Sequence, residues 1–191
     1  MANKIKYNLK NTHYAKITVA TDGEITFGTP VKIPGSVSIA LDAQGDITPF
    51  YADGITFYKS AANNGYEGDL EIALVPESFR TDILGEALDS NKVLIENSEA
   101  AGSSFALLFE FTGDEKAIRH VLYNCVATRP SLESQTKEDT IEPVTESLTI
   151  SATPLPNGDV KAKTGNETDQ TVYTGWYAAV YKKATETPTE G

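Results

Sequence analysis

Three side chains in this sequence could serve as nucleophile or base near neutral pH: His13, His120 and the single cysteine, Cys125. A cysteine–histidine pair works only when the two groups come within hydrogen-bond reach. On a regular strand an offset of five puts His120 and Cys125 on opposite faces. The expectation is therefore a packed thiol and a histidine without a catalytic partner, and His13 lies on a separate stretch. One cysteine also excludes an internal disulfide and a multi-thiolate zinc site. Asp42 and Asp46 flank Gly45 without the spacing of a calcium loop. No glycine-rich loop ending in Lys-Ser or Lys-Thr occurs, and no dinucleotide glycine pattern. Carboxylates are abundant, but a pair of acids cleaves a glycoside only across a cleft, which composition does not reveal. The reading is no enzyme, no metal and no cofactor.

The acids suggest another use. Lys and Arg total 16 against 27 Asp and Glu, a formal charge of −11. Such a chain is poorly suited to gripping DNA, which relies on cations that neutralise phosphates. The charge is also segregated. Residues 1–40 hold five lysines and two acids, whereas residues 67–99 hold nine acids and two bases. Residues 131–170 are acidic as well, with eight acids and three bases. Within the second block Glu67, Asp69 and Glu71 alternate, so an extended EGDLEI turns all three to one side and Leu70 and Ile72 to the other. That side is either an ordinary solvated strand face or a surface that repels polyanions.

The elements that must position these groups are mostly strands. YAKITVATDGEITFGTPVKI alternates with period two around Asp22-Gly23, a hairpin signal. SVSIAL follows the turn Pro34-Gly35. Residues 42–66 form a long excursion rich in Gly, Asn and Pro, yet it carries Phe50, Tyr51, Phe57 and Tyr58 and is too aromatic for a disordered linker. One helix is expected over about 76–90, where Phe79, Ile83, Leu84, Ala87 and Leu88 form a stripe of helical period. SSFALLFEF and AIRHVLYNCVAT read as a hairpin apolar on both faces, hence a central pair. QTVYTGWYAAVY continues the strand-like pattern, and KKATETPTEG lacks any apolar anchor. With 191 residues, the expectation is one mainly β domain over 1–181, including an amino-terminal arm, and a mobile tail over 182–191. No run of about 18 apolar residues occurs, so no membrane span is expected. MANKIKYNLKN has no apolar stretch of the kind a secretory signal needs.

Several blocks resemble major tail proteins of long-tailed, non-contractile phages. They are VKIPGSVSIAL, PFYADGITFYKSAANNGYEGDLEIALVPESFRTDILGE, the long segment from SFALLFEF to ESLTI, and VKAKTG. Together they run from about residue 14 to 181, with YADG, NNGYEGDLE and YNCVATRP the most specific parts. The resemblance implies a tail tube protein: a β-sandwich or barrel with one flanking helix, stacked as hexameric rings into a hollow virion tube through which DNA passes. It implies self-association, and contact with tape-measure, tail terminator and baseplate or distal tail proteins. Assembly would occur in the host cytoplasm, with neither a membrane nor specific DNA binding. On this footing Glu67, Asp69 and Glu71 are candidate lumen-lining acids. Asp42, Asp46, Phe50, Tyr51, Phe57 and Tyr58 are candidates for ring–ring contacts. A tube subunit of a contractile or type VI secretion-like system shares the expected fold. A decoration or adhesin-like β-sandwich shares the composition.

Overall fold

The computed structural model describes residues 3–21, 23–136 and 143–184. The chain opens with β1 (Lys6–Val19), β2 (Ile25–Phe27), β3 (Val31–Lys32), β4 (Ser36–Gln44), β5 (Ile47–Ala52), β6 (Ile55–Ala61) and β7 (Gly65–Ile72). A helical turn, α1 (Glu77–Phe79), runs into a π-helical turn over Arg80–Leu84. Then come β8 (Ala87–Leu88), β9 (Leu94–Ile95), β10 (Phe105–Gly113), β11 (Ile118–Ala127), β12 (Glu146–Ala152), β13 (Lys161–Lys163) and α2 (Gln170–Thr174).

Nine strands form one antiparallel sheet in the order β2-β1-β10-β11-β12-β7-β4, with β3 beside β1 and β13 beside β11. Strands β5 and β6 pair only with each other, as do β8 and β9. The architecture is mainly β with a flanking helix, as the alternation indicated. The sheet rolls without closing: β1 and β4 approach each other, but no ladder joins them among the described residues.

The central hairpin explains the rolling. Phe105, Leu107 and Phe109 of β10 enter one core with Leu122 and Cys125 of β11, Leu70 and Ile72 of β7, and Leu148 and Ile150 of β12. Ala106 and Leu108 point the other way, into a second core with Ala15, Val121, Tyr123, Trp176 and Val180. A strand pair buried on both faces must lie centrally, and it does. The Asp22-Gly23 hairpin also forms, with Val19 opposite Ile25 and Gly23 at φ +85°. Asp22 itself lies outside the described residues.

Two segments differ from the sequence reading. The helix expected over about 76–90 ends at Leu84, because Gly85 adopts a left-handed φ of +80° and its N–H donates to the Arg80 carbonyl. Such a glycine is a usual helix terminator. Phe79, Ile83 and Leu84 are buried as the stripe requires, but Ala87 and Leu88 belong to β8 and are exposed. Phe79 meets Tyr14 and Phe105 edge to face, at 5.1 and 5.4 Å between centroids, which seals one end of the first core. The second difference is QTVYTGWYAAVY, which is no strand. The Asp169 carboxylate accepts from the N–H groups of Thr171 and Val172 and starts α2. An Asp N-cap outweighed the weak alternation.

The segment after α2 covers the second core through a buried ion pair. Glu110 accepts from Arg119 Nε at 3.0 Å, Tyr177 Oη at 3.1 Å and Asn11 Nδ2 at 2.7 Å. Arg119 also donates to the Tyr173 carbonyl and lies over the Tyr173 ring, 3.9 Å from its centroid. Of the tail expected at 182–191, Lys182 reaches the Phe27 ring, and residues from 185 onward lie outside the described residues. Glu110→Ala leaves the mostly buried Arg119 guanidinium without its carboxylate. It should cost about 3–5 kcal/mol, against about 1 kcal/mol for Tyr177→Phe. Urea unfolding monitored by Trp176, the chain's single tryptophan, checks both. Similar midpoints for the two variants would show that Glu110 does not hold this segment.

Candidate functional site

The alternating acids occupy one open sheet face. In β7, Leu70 and Ile72 are buried, and Glu67, Asp69 and Glu71 project to the opposite side. The ladders fix their neighbours. Asp42, Ala40 and Ser38 of β4 lie opposite Glu67, Asp69 and Glu71 on one flank, and Ser151, Thr149 and Ser147 of β12 lie opposite them on the other. The face is thus built from carboxylates, hydroxyls and one methyl. These strand positions contain no lysine or arginine.

Hydroxyls hold the carboxylates in place. Thr145 and Ser38 donate to the two oxygens of Glu71, at 2.5 and 2.8 Å, and keep its carboxyl below the usual glutamate range. Thr149 donates to Asp69 at 2.8 Å. The sequence pattern revealed the acids, but not the Ser and Thr donors, which lie 33 to 80 residues away in the chain. Gly68 lets β4 lie close against β7. A Cβ there would stand 1.9 Å from the Ala40 carbonyl oxygen.

Of the six residues grouped with the aromatic excursion, Asp42 joins the acidic face inside β4, and Asp46 sits at the foot of the β5–β6 hairpin. Phe50, Tyr51, Phe57 and Tyr58 are on the hairpin itself. Its tip is Asp53-Gly54, both left-handed at φ +51° and +76°. That pair suits the tight turn matching strand twist, and the dipeptide was a legible signal. Pairing puts Ile47, Pro49 and Tyr51 on one face, and Phe50, Ile55 and Tyr58 on the other. Ile47, Phe50, Tyr51, Ile55, Phe57 and Tyr58 are each 61–70% exposed. A two-stranded hairpin apolar on both faces is poorly suited to remain in water.

The amino-terminal arm is pinned. Asn3 Oδ1 accepts from the N–H groups of Glu115 and Lys116, and the Lys4 N–H donates to Asp114.

The cysteine–histidine expectation needs one correction. Cys125 pairs with Phe105, but Leu122, three residues back, pairs with Leu107 only two residues on. This bulge adds a residue to β11 and reverses the parity, so His120 and Cys125 lie on the same face. No dyad results. Five residues of strand still separate them by roughly 13–16 Å. Cys125 is fully buried, and burial pushes its thiol up to about 12. Burial, with Lys161, Lys163 and Lys6 nearby, pulls His120 down to about 4. His13 stacks on Tyr177 at 4.7 Å instead. Among the described residues no group of His, Cys, Asp and Glu is arranged to hold a metal ion, and no helix is long and apolar enough to cross a membrane.

A family model described as "Phage tail tube protein" matches residues 2–187. No curated protein matches the chain.

Two consequences can be measured. Gly68→Ala should cost at least about 1–3 kcal/mol by forcing β4 from β7, seen as a lower melting temperature and faster amide exchange along β4. Unchanged exchange would mean that the strands have room to separate. His120 titrates near 6.5 unfolded but near 4 folded, so the unfolded chain binds the extra proton between those values. Stability should therefore fall as pH drops from about 7 to 4, by on the order of 2 kcal/mol. His120→Phe should flatten urea midpoints measured across that window.

Proposed function

The chain belongs to the phage tail tube proteins, and we propose that it builds the tube as stacked hexameric rings with an acidic lumen. Membership makes it a structural component of the virion tail that assembles with copies of itself and associates with other tail proteins. In the proposed arrangement the β4–β7–β12 face lines the lumen. Its carboxylates and absence of cations carry this reading. Duplex DNA adheres to proteins largely through cations that displace its counterions. A wall of fixed carboxylates offers no such contact and repels phosphates instead. DNA would slide through without specific binding during ejection into the host.

The edge strand β4 and the β5–β6 hairpin are the proposed means of assembly. An unpaired edge is usually a hazard, but neighbours can complete it around a ring. The aromatic hairpin would bridge successive rings, with Phe50, Tyr51, Phe57 and Tyr58 buried between them. Residues 1–181 would act as one tube domain, assembled in the host cytoplasm, with 182–191 dispensable for folding. Tape-measure, tail terminator and baseplate or distal tail proteins are the proposed further partners.

Two measurements test the reading. Negative-stain images of concentrated protein should show rings or tubes, and dispersed monomers at every concentration would overturn it. Replacing Glu67, Asp69 and Glu71 together by lysine changes each subunit from −3 to +3 at these positions. Folding should change little, since exposed substitutions usually move stability by about 0.5 kcal/mol or less. Tails should form, but DNA ejection should slow severalfold in low salt and recover as ionic strength rises. Wild-type ejection rates in low salt would remove these residues from the lumen.

A further inference from the structure

The open side of the rolled sheet is a cleft. Ile39 and Leu41 of edge strand β4 form one wall, and Phe109 and Phe111 of β10 contribute the other. Its volume is about 340 Å³, the share of roughly ten water molecules. Lys6 and Lys161 stand at the rim. Lys6 Nζ lies 5.0 Å from the Phe111 ring centre, and Lys161 Nζ lies 4.1 Å from that of Tyr66 while donating to its hydroxyl. The ion pairs Arg80–Glu86, Arg80–Glu146, Arg119–Glu110 and Arg129–Glu96 involve neither lysine. Inside, the His120 ring lies flat on Phe109, and its buried Nε2 has no hydrogen-bond partner.

These features define the occupant's chemistry. It must be apolar enough to displace water from the aromatic walls, carry a carboxylate for the two ammonium groups, and offer a group to the orphan nitrogen. The hairpin tip meets each requirement: Tyr51 and Ile55 flank Asp53, and all three are exposed. Asp53 sits, exposed, in the tight turn at the tip. The amino-terminal arm is a poorer fit, because Asn3 and Lys4 are already bonded to the β10–β11 turn.

We propose that this cleft receives the β5–β6 hairpin tip of a second copy of the chain, with Asp53 set between Lys6 and Lys161. The proposal rests on the reading of the chain as a tube subunit and names the surface that the hairpin meets. Opposite charges brought together in a cleft that excludes water also fix the register of the contact. The same contact gives the basic amino-terminal part of the chain an acidic counterpart on its neighbour.

Cross-linking tests it directly. In a Cys125→Ser background, protein carrying Asp53→Cys is mixed with protein carrying Lys161→Cys, concentrated, imaged and oxidised. A disulfide-linked dimer is expected from the mixture, and little from Asp53→Cys mixed with Lys32→Cys on β3. Tubes without the 53–161 dimer would overturn the docking proposal and leave the tube reading intact. Absence of both tubes and dimer would overturn both. A dimer between Lys161→Cys and Ile5→Cys, in place of the 53–161 dimer, would assign the cleft to the arm and also reject the proposal. Charge reversal supplies a second measurement. Lys6→Glu with Lys161→Glu should raise the concentration needed for assembly at least tenfold, and adding Asp53→Lys should restore most of it. If the triple variant assembles no better than the double, the charge pairing is wrong.

Discussion

Phe105, Leu107 and Phe109 face one core and Ala106 and Leu108 face another, and all five are shielded from water. A strand buried on both sides constrains everything around it. Its neighbours must extend the sheet in both directions, and something must cover each face. The first face is covered by curling β7, β12 and β4 over it and sealing one end with Phe79. The second face lacks a sheet to cover it. The carboxy-terminal segment does so with Trp176 and Val180, held by the Glu110–Arg119 pair. An ion pair in such a place is an indifferent source of net stability. Losing one partner is costly, however, so it acts mainly to fix where the segment lies.

The curl is incomplete within one chain. Strand β4 ends the sheet with a free edge, β1 approaches without pairing, and the gap exposes aromatic walls. The hairpin between β4 and β7 has the opposite problem, with exposed apolar side chains on both faces. An isolated subunit of this kind leaves apolar surface uncovered in two places. Covering such apolar surface gains free energy, and a member of a tube-forming family assembles with copies of itself.

Electrostatics separates the surfaces. Across β4, β7 and β12 the outward positions are acids, Ser, Thr and Ala, and two carboxylates, Asp69 and Glu71, are tied down by hydroxyl donors rather than by cations. Holding an acid with a hydroxyl keeps its full charge on the surface, whereas a lysine partner would cancel it. The lysines gather elsewhere, with Lys6, Lys161 and Lys163 all close enough to His120 to disfavour its protonation. One face therefore carries carboxylates while another gathers lysines, and each is set by strand parity and register.

The sequence by itself determined what depends on local pattern. Period-two alternation defined the central hairpin and its two buried faces, glycine and its companions marked the turns, and the spacing of Glu67, Asp69 and Glu71 put them on one side of one strand. The family resemblance was legible too, because it is carried by contiguous blocks. The glycine stop at Gly85 and the Asp169 cap of α2 are local as well, although neither shows in the periodicity that suggested a longer helix and a strand. Tertiary structure decided whatever depends on which strand lies beside which. It brought Ser38 to Glu71 across the β4–β7 ladder, and Thr145 to it from just before β12. It also inserted one residue into β11, and so placed His120 and Cys125 on the same face against the parity of a regular strand. A bulge leaves little trace in composition, since it is selected by the partner strand's register rather than by the residues that form it. The cleft is of the same kind. Its lysines, aliphatic and aromatic walls and orphan histidine come from β1, β4, β7, β10, β11 and β13, and only the curl of the sheet brings them together.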